Sequence, residues 1–184
     1  DSLSADLARN TACGGVGLDK TMHQRFEALA AYAENTGAQA ILFTCSAFGS
    51  CIEAVATQRP HMPVLKPNEA MVEEAVAFAA GERIGLIASF APTLVNMPAE
   101  FPPGTDLVAA LVAEAMDALN RGDGSLHDDL VVQAAQSLKA QGSAVIALAQ
   151  FSMARAQRAV AQAVGLPVFT TPGSAIQALR QRLQ

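Results

Sequence analysis

The chain has 184 residues, 51% of them hydrophobic, and a formal net charge of −5 with acidic and basic side chains scattered along it. This supply of Ala, Val, Leu and Ile suffices for a buried core, while the lack of a basic stripe argues against a nucleic-acid partner and the lack of an apolar run near ~20 residues argues against a membrane span. Three cysteines without a CxxC or Cys/His spacing read as reduced thiols, not a disulfide frame or zinc site, and Asp1–Ser4 lacks a signal-peptide layout, so the expected address is cytoplasmic.

Along the chain, Met22, Phe26, Leu29 and Ala33 fall at i, i+4, i+7 and i+11, one apolar stripe of a helix that Gly37 is placed to end in a left-handed cap. Ala40 to Thr44 reads as a short apolar strand buried on both faces. A helix over about 48–58 leads to a Pro63-Val64-Leu65 strand. Glu69 to Ala80 is helical and stopped by Gly81, and Arg83 to Ser89 is a second buried strand. From Thr105 the pattern gives a strand and then a helix up to Asn120, followed by a Gly122-Asp123-Gly124 turn and a helix from near Ser125. Ser174 to Leu183 forms the last helix.

A repeat organises these elements. Gly37 to Cys45 lies over Gly142 to Gln150 at an offset of 105 residues, and Ala54-Val55-Ala56 lies over Ala159-Val160-Ala161. After a one-residue gap, Pro63-Val64-Leu65 lies over Pro167-Val168-Phe169, and Pro67 falls on Pro172. Each unit is αβαβ, which predicts an α/β protein of two similar lobes. Each lobe is a parallel sheet flanked by helices with right-handed crossovers, the two are related by a pseudo-two-fold, and the cleft between them is the active site. The first lobe takes residues 1–69 plus 171–184 and the second 70–170, so the last helix packs back on the first lobe. The strand ending at Ser89 has no counterpart 105 positions earlier, so the first lobe lacks its opening strand and the sequence reads as a fragment.

Ligands of open parallel sheets bind beyond the carboxyl ends of the strands. Three such ends are Thr44-Cys45-Ser46, Ser89 to Thr93, and Ala149 to Ser152. Cys45 follows a strand and precedes a helix, whose N-terminal amides favour a thiolate and hold a carboxylate. That suits acid–base work beside a substrate carboxylate; the alternative is a small buried hydrophobe. Ser46, Ser89, Thr93 and Ser152 are candidate donors to the carboxylate, or ordinary helix caps. Cys51 lies about 600° round a helix from Cys45 and faces away from it. Cys13 stands in a Gly-rich loop with no phosphate-cradle signature. His127-Asp128-Asp129 does not converge on a metal, because neighbouring helical residues point apart. His23, His61, Arg155, Arg158, Arg180 and Arg182 read as surface residues.

Ile41 to Ala47 resembles the first cysteine segment of the aspartate/glutamate/hydantoin racemase superfamily. Ile84 to Ser89, with Thr93, resembles its central strand and substrate loop, and Val145 to Gln150 its second cysteine segment. The resemblance runs from about residue 20 onward. It implies proton removal and return at the carbon next to a carboxylate, without a cofactor, by two cysteines on opposite sides of that carbon. Cys45 takes the first position; the second holds Gln150, whose amide cannot exchange a proton usefully near pH 7. Three outcomes follow: a racemase with another second base, a one-sided proton donor as in the arylmalonate decarboxylase branch, or covalent addition as in the maleate isomerase branch, whose cysteine pair is incomplete here. Gln150 is also a candidate oxyanion donor. Outside catalysis, the cleft would serve a non-catalytic binder of small carboxylates. The expected partner is a small carboxylate substrate, and the Ala-rich helices are candidates for a homo-oligomer interface.

Overall fold

The computed structural model describes residues 18–45 and 48–184. Helix α1 (Lys20–Asn35) starts where the Asp19 carboxylate accepts the Met22 N–H at 2.8 Å, satisfying one of the orphan donors of a helix start. It buries Met22, Phe26 and Ala30, while Leu29 is 47% exposed. The expected stripe through Leu29 and Ala33 is therefore corrected to a narrow i, i+4, i+8 seam, enough to cover α2 (Gly49–Gln58), its main helical neighbour among the described residues. Gly37 has the predicted left-handed backbone, φ +84°.

Strands β1 (Ile41–Leu42) and β2 (Val64–Leu65) form a parallel pair. Ile41 and Leu42 are only half-buried, so the expectation of a strand buried on both faces fails here, since among the described residues β1 has a single strand neighbour. It holds instead for β3 (Ile84–Ala88) and β5 (Val145–Leu148), every residue of which is buried. These are the inner strands of a four-stranded parallel sheet, order β4 (Leu107–Leu111), β3, β5, β6 (Val168–Thr170). Alternate residues serve two cores, as period-2 side chains must. Ile84, Leu86, Val145 and Ala147 face helix α3 (Glu69–Ala79). Ile87, Ile146 and Leu148 face α6 (Gly124–Ala140) and α7 (Gln157–Val164). Between β3 and β4 lies α4 (Ala91–Asn96), and α5 (Ala113–Asn120) follows β4.

The repeat seen in the sequence recurs in the hydrogen bonds. Ile41 pairs with Val64 and Leu42 with Leu65; Ile146 pairs with Val168 and Ala147 with Phe169. Ile41 N–H donates to Pro63 O at 2.8 Å and Ile146 N–H to Pro167 O at 3.0 Å. The register thus reproduces the 105-residue offset and its one-residue gap. Asp123 caps α6 through the Leu126 N–H as Asp19 caps α1. At the end of α3 the first left-handed residue is Ala80, φ +50°, one position ahead of Gly81, φ +95°.

The last helix, α8 (Thr171–Arg182), starts three residues earlier than expected because Thr170 caps it and Pro172 fits its first turn. Helix α8 lies on α3, where the Ser174 hydroxyl donates to Glu74 Oε2 at 2.5 Å. Small buried side chains at Thr171, Ser174 and Ala175 permit that close approach. No helix among the described residues is long and apolar enough to cross a membrane.

Candidate active site

Three strand ends meet in one cleft of about 190 Å³. From β1 come Thr44 and Cys45; from the segment after β3 come Phe90, Pro92, Thr93 and Asn96; from the segment after β5 come Ala149, Gln150, Phe151 and Ser152. Pro67 and Asn68, where the chain passes from β2 to α3, close the wall. Cys45, Thr93, Gln150 and Ser152 therefore line one cleft, whereas Ser46 and Cys13 lie outside the described residues.

Cys45 is a free, half-buried thiol resting against the core of Phe26, Phe48 and Ile52. Two ring contacts bracket its segment: Phe26 meets Phe43 at 5.0 Å and Phe48 at 4.9 Å between centroids. Helix α2 begins at Gly49, four residues beyond Cys45. Cys51 is fully buried and burial pushes its thiol pKa up; it is the core residue that its angular position predicted.

Ser89 is 4% exposed, and both its backbone N–H and its hydroxyl donate to Gln150 Oε1, at 2.6 and 3.0 Å. Its single hydroxyl proton is thus committed to Gln150. Thr93 is buried in the first turn of α4, whose N-cap is Phe90; Ser152 follows the cap position Gln150 of a 3-10 turn (Phe151–Ala156). None of the three serines and threonines is an N-cap residue, so the ordinary capping role does not occupy them.

Among the described residues lining the cleft, Cys45 is the one ionisable side chain; the others are neutral donors, prolines, aromatics and Ala149. Sequence reasoning missed Asn68 and Asn96, while Phe90 and Pro92 lie in the Ser89 to Thr93 strand end that it singled out. Asn68 stands next to the boundary expected between the two lobes, at residues 69 and 70. It is 1% exposed and donates to Glu100 Oε1 at 3.4 Å. Glu100 belongs to an adjoining recess with Ser50, Glu53 and Lys66. Desolvation raises the Glu100 pKa above 4.5, against the Asn68 hydrogen bond and the Lys66 charge, although part of the residue stays exposed. Lys66 is paired with Glu53 at 3.0 Å.

Of the features set aside, His127 is fully buried with Nδ1 on Asp128 at 2.8 Å, and Asp128 also accepts from Arg155 at 2.9 Å. His61, expected without a partner, meets Glu34 at 2.8 Å because α1 and α2 lie side by side. The described residues hold no group of three His, Cys, Asp or Glu fit for a metal ion.

The model of the Asp/Glu/hydantoin racemase family matches residues 19–179. The chain belongs to that family. Solved structures agree at the level of fold. A candidate Asp/Glu racemase from Yersinia pestis superposes with a TM-score of 0.66 at 18% identity, over 98% of this chain and 80% of the other. Glutamate racemase from Bacillus anthracis gives 0.65 at 14%, over 88% of this chain and 65% of its own length. Unliganded arylmalonate decarboxylase gives 0.59 at 14%, over 91% and 78%. No curated protein matches the chain in sequence.

Proposed function

We propose that this racemase-family chain is a cofactor-independent isomerase-type enzyme that moves a proton at the carbon next to the carboxylate of a small acid, with Cys45 as the acid–base group. One observation carries this reading: Cys45 is the one ionisable side chain among the described cleft residues, and neutral donors surround it. The thiolate takes the α-proton, and the C–H electron pair enters the carboxylate to give an enediolate. Thr93, Ser152 and the Gln150 amide offer hydrogen bonds to its oxygens. The thiol then returns a proton to the same face, which exchanges the hydrogen, or water delivers one to the opposite face, which isomerises the acid; either restores the carboxylate.

Gln150 favours a second reading. An amide is no base, so a reaction that needs proton delivery to one face only, as after loss of carbon dioxide from a malonate, suits the site equally. The test is α-hydrogen exchange in D2O followed by NMR, over amino acids and substituted malonates, with Cys45→Ala as control. Wild type is expected to exchange or decarboxylate at least one acid, and Cys45→Ala to lose about 10²–10⁴-fold in rate. Turnover that persists in the variant overturns the role of Cys45; binding without turnover makes the chain a carboxylate binder.

A further inference from the structure

We infer that Ser89 is a positioning residue that clamps Gln150 as a fixed amide donor, so that the site exchanges protons from the Cys45 side and inverts configuration only slowly. The inference rests on the proton-transfer reading above. A backbone N–H can only donate, so the atom facing Ser89 N at 2.6 Å must be the Gln150 oxygen and not its nitrogen. The Ser89 hydroxyl, at 3.0 Å from the same oxygen, adds a second bond in a site that is 4% exposed. The amide orientation is therefore fixed, and Nε2 is directed away from Ser89. Gln150 lines the cleft, and among the described residues none accepts a hydrogen bond from Nε2. The free N–H pair is thus the group that Gln150 offers to a bound carboxylate.

The stereochemical consequence follows from proton counting. Cys45 removes the α-proton, exchanges it with solvent, and returns a deuteron to the same face, while the electron pair travels into the carboxylate and back. Inversion needs a second acid at the other face, where the Gln150 amide stabilises negative charge but transfers no proton. Water alone then serves that face.

The experiment takes an optically pure acid that wild type exchanges and follows deuterium uptake by NMR and inversion by chiral chromatography. Exchange is expected to outrun inversion at least about tenfold, and Gln150→Cys to bring inversion toward the exchange rate by supplying a second thiol. Ser89→Ala keeps the backbone N–H bond and loses only the hydroxyl bond to Gln150 Oε1, so it is expected to cut exchange about 2–10-fold in kcat with little change in KM, and Ser89→Thr to restore it. Equal rates of exchange and inversion in wild type, or Ser89→Ala without effect on either, overturn the inference while leaving the role of Cys45 intact. A readout without turnover is the ¹⁵N–¹H signal of the Gln150 side chain, assigned by its loss in Gln150→Leu. It is expected to shift on titration with aspartate or phenylmalonate in wild type and less in Ser89→Ala. Signals that stay unmoved at saturation also overturn the donor role, whatever the exchange experiment gives.

Discussion

Phe26 is the side chain on which the placement of Cys45 depends most. It is 2% exposed, and its ring touches Phe43, two residues before the thiol, and Phe48, three residues after it. The strand that leads to Cys45 is two residues long and, among the described residues, pairs with one neighbour, so side-chain packing carries much of its placement. Truncating a buried Phe to Ala costs about 3–5 kcal/mol. Against a total of roughly 5–15 kcal/mol for a domain, Phe26→Ala removes about a fifth of the stability at the least. Phe26→Leu keeps an apolar side chain but loses both ring contacts, at roughly 0.5–1.5 kcal/mol each. With no Trp and one Tyr in the chain, urea unfolding is best followed by far-UV circular dichroism. Phe26→Leu, still folded in buffer, is the variant for activity: Cys45-dependent exchange is expected to fall about tenfold, the usual scale for a catalytic group displaced by a fraction of an ångström. Both variants unfolding within about 0.5 kcal/mol of wild type, or Phe26→Leu losing stability while keeping full exchange, would show that the aromatic contacts do not hold the thiol.

Arg59, 5% exposed, holds Glu27 through two hydrogen bonds and Glu34 through one, tying the C-terminal end of α2 to α1. Arg59→Met is expected to cost about 1 kcal/mol at neutral pH, since both carboxylates stay reachable by water. The Glu27 carboxyl is held below 4.5 chiefly by the Arg59 hydrogen bond, and the Glu34 carboxyl by its hydrogen bonds to His61 and then Arg59. Depressed carboxyls stabilise the fold fully above their unfolded value and lose that contribution as pH falls through the folded value. The difference between wild type and Arg59→Met should therefore shrink below pH 4.5; a difference that grows in acid contradicts the assignment. Gly85 in β3 has no room for a methyl group: an added Cβ would stand 2.9 Å from Ile146 Cδ1 and 2.9 Å from Ser143 Oγ. Gly85→Ala should lower stability by about 1–3 kcal/mol, read from the urea midpoint, and a midpoint equal to wild type would mean that the strands part freely there.

Much of this architecture was legible because backbone punctuation marks it. Gly37 and Gly142 end helices in left-handed turns, and Pro63 and Pro167 open edge strands whose partners are hydrogen-bonded at the same offset. Repeated punctuation fixes register independently of side-chain identity, which is why a weak identity still gave the right pairing. Cys45, Thr93, Gln150 and Ser152 were legible for a related reason: each follows a strand end, and strand ends in parallel sheets converge. Asn96 was not, since a six-residue helix after β3 has no periodicity from which its facing side can be read. The exposed Leu29 was misread because a helix covering one main helical neighbour needs a narrower stripe than its hydrophobic residues describe. The clamp of Ser89 on Gln150 joins residues 61 positions apart, a contact that spacing alone could not supply.

The two halves of the cleft differ in how firmly they are built, and the division matches their proposed tasks. Gln150 follows β5, whose residues are all buried, and it is held by Ser89 at the end of β3, buried in the same way. Donors that stabilise developing charge act best when their orientation is fixed before reaction, since no reorganisation is then needed. Cys45 follows a two-residue strand and rests on an aromatic cluster instead of a continuous ladder. A proton carrier must approach carbon, withdraw, and exchange with solvent, and a half-buried thiol on a thinner support can do so without disturbing the central sheet. The same register at the same offset therefore carries two unlike ends: β5 terminates in a rigid hydrogen-bond donor, and β1 in a thiol free to meet water.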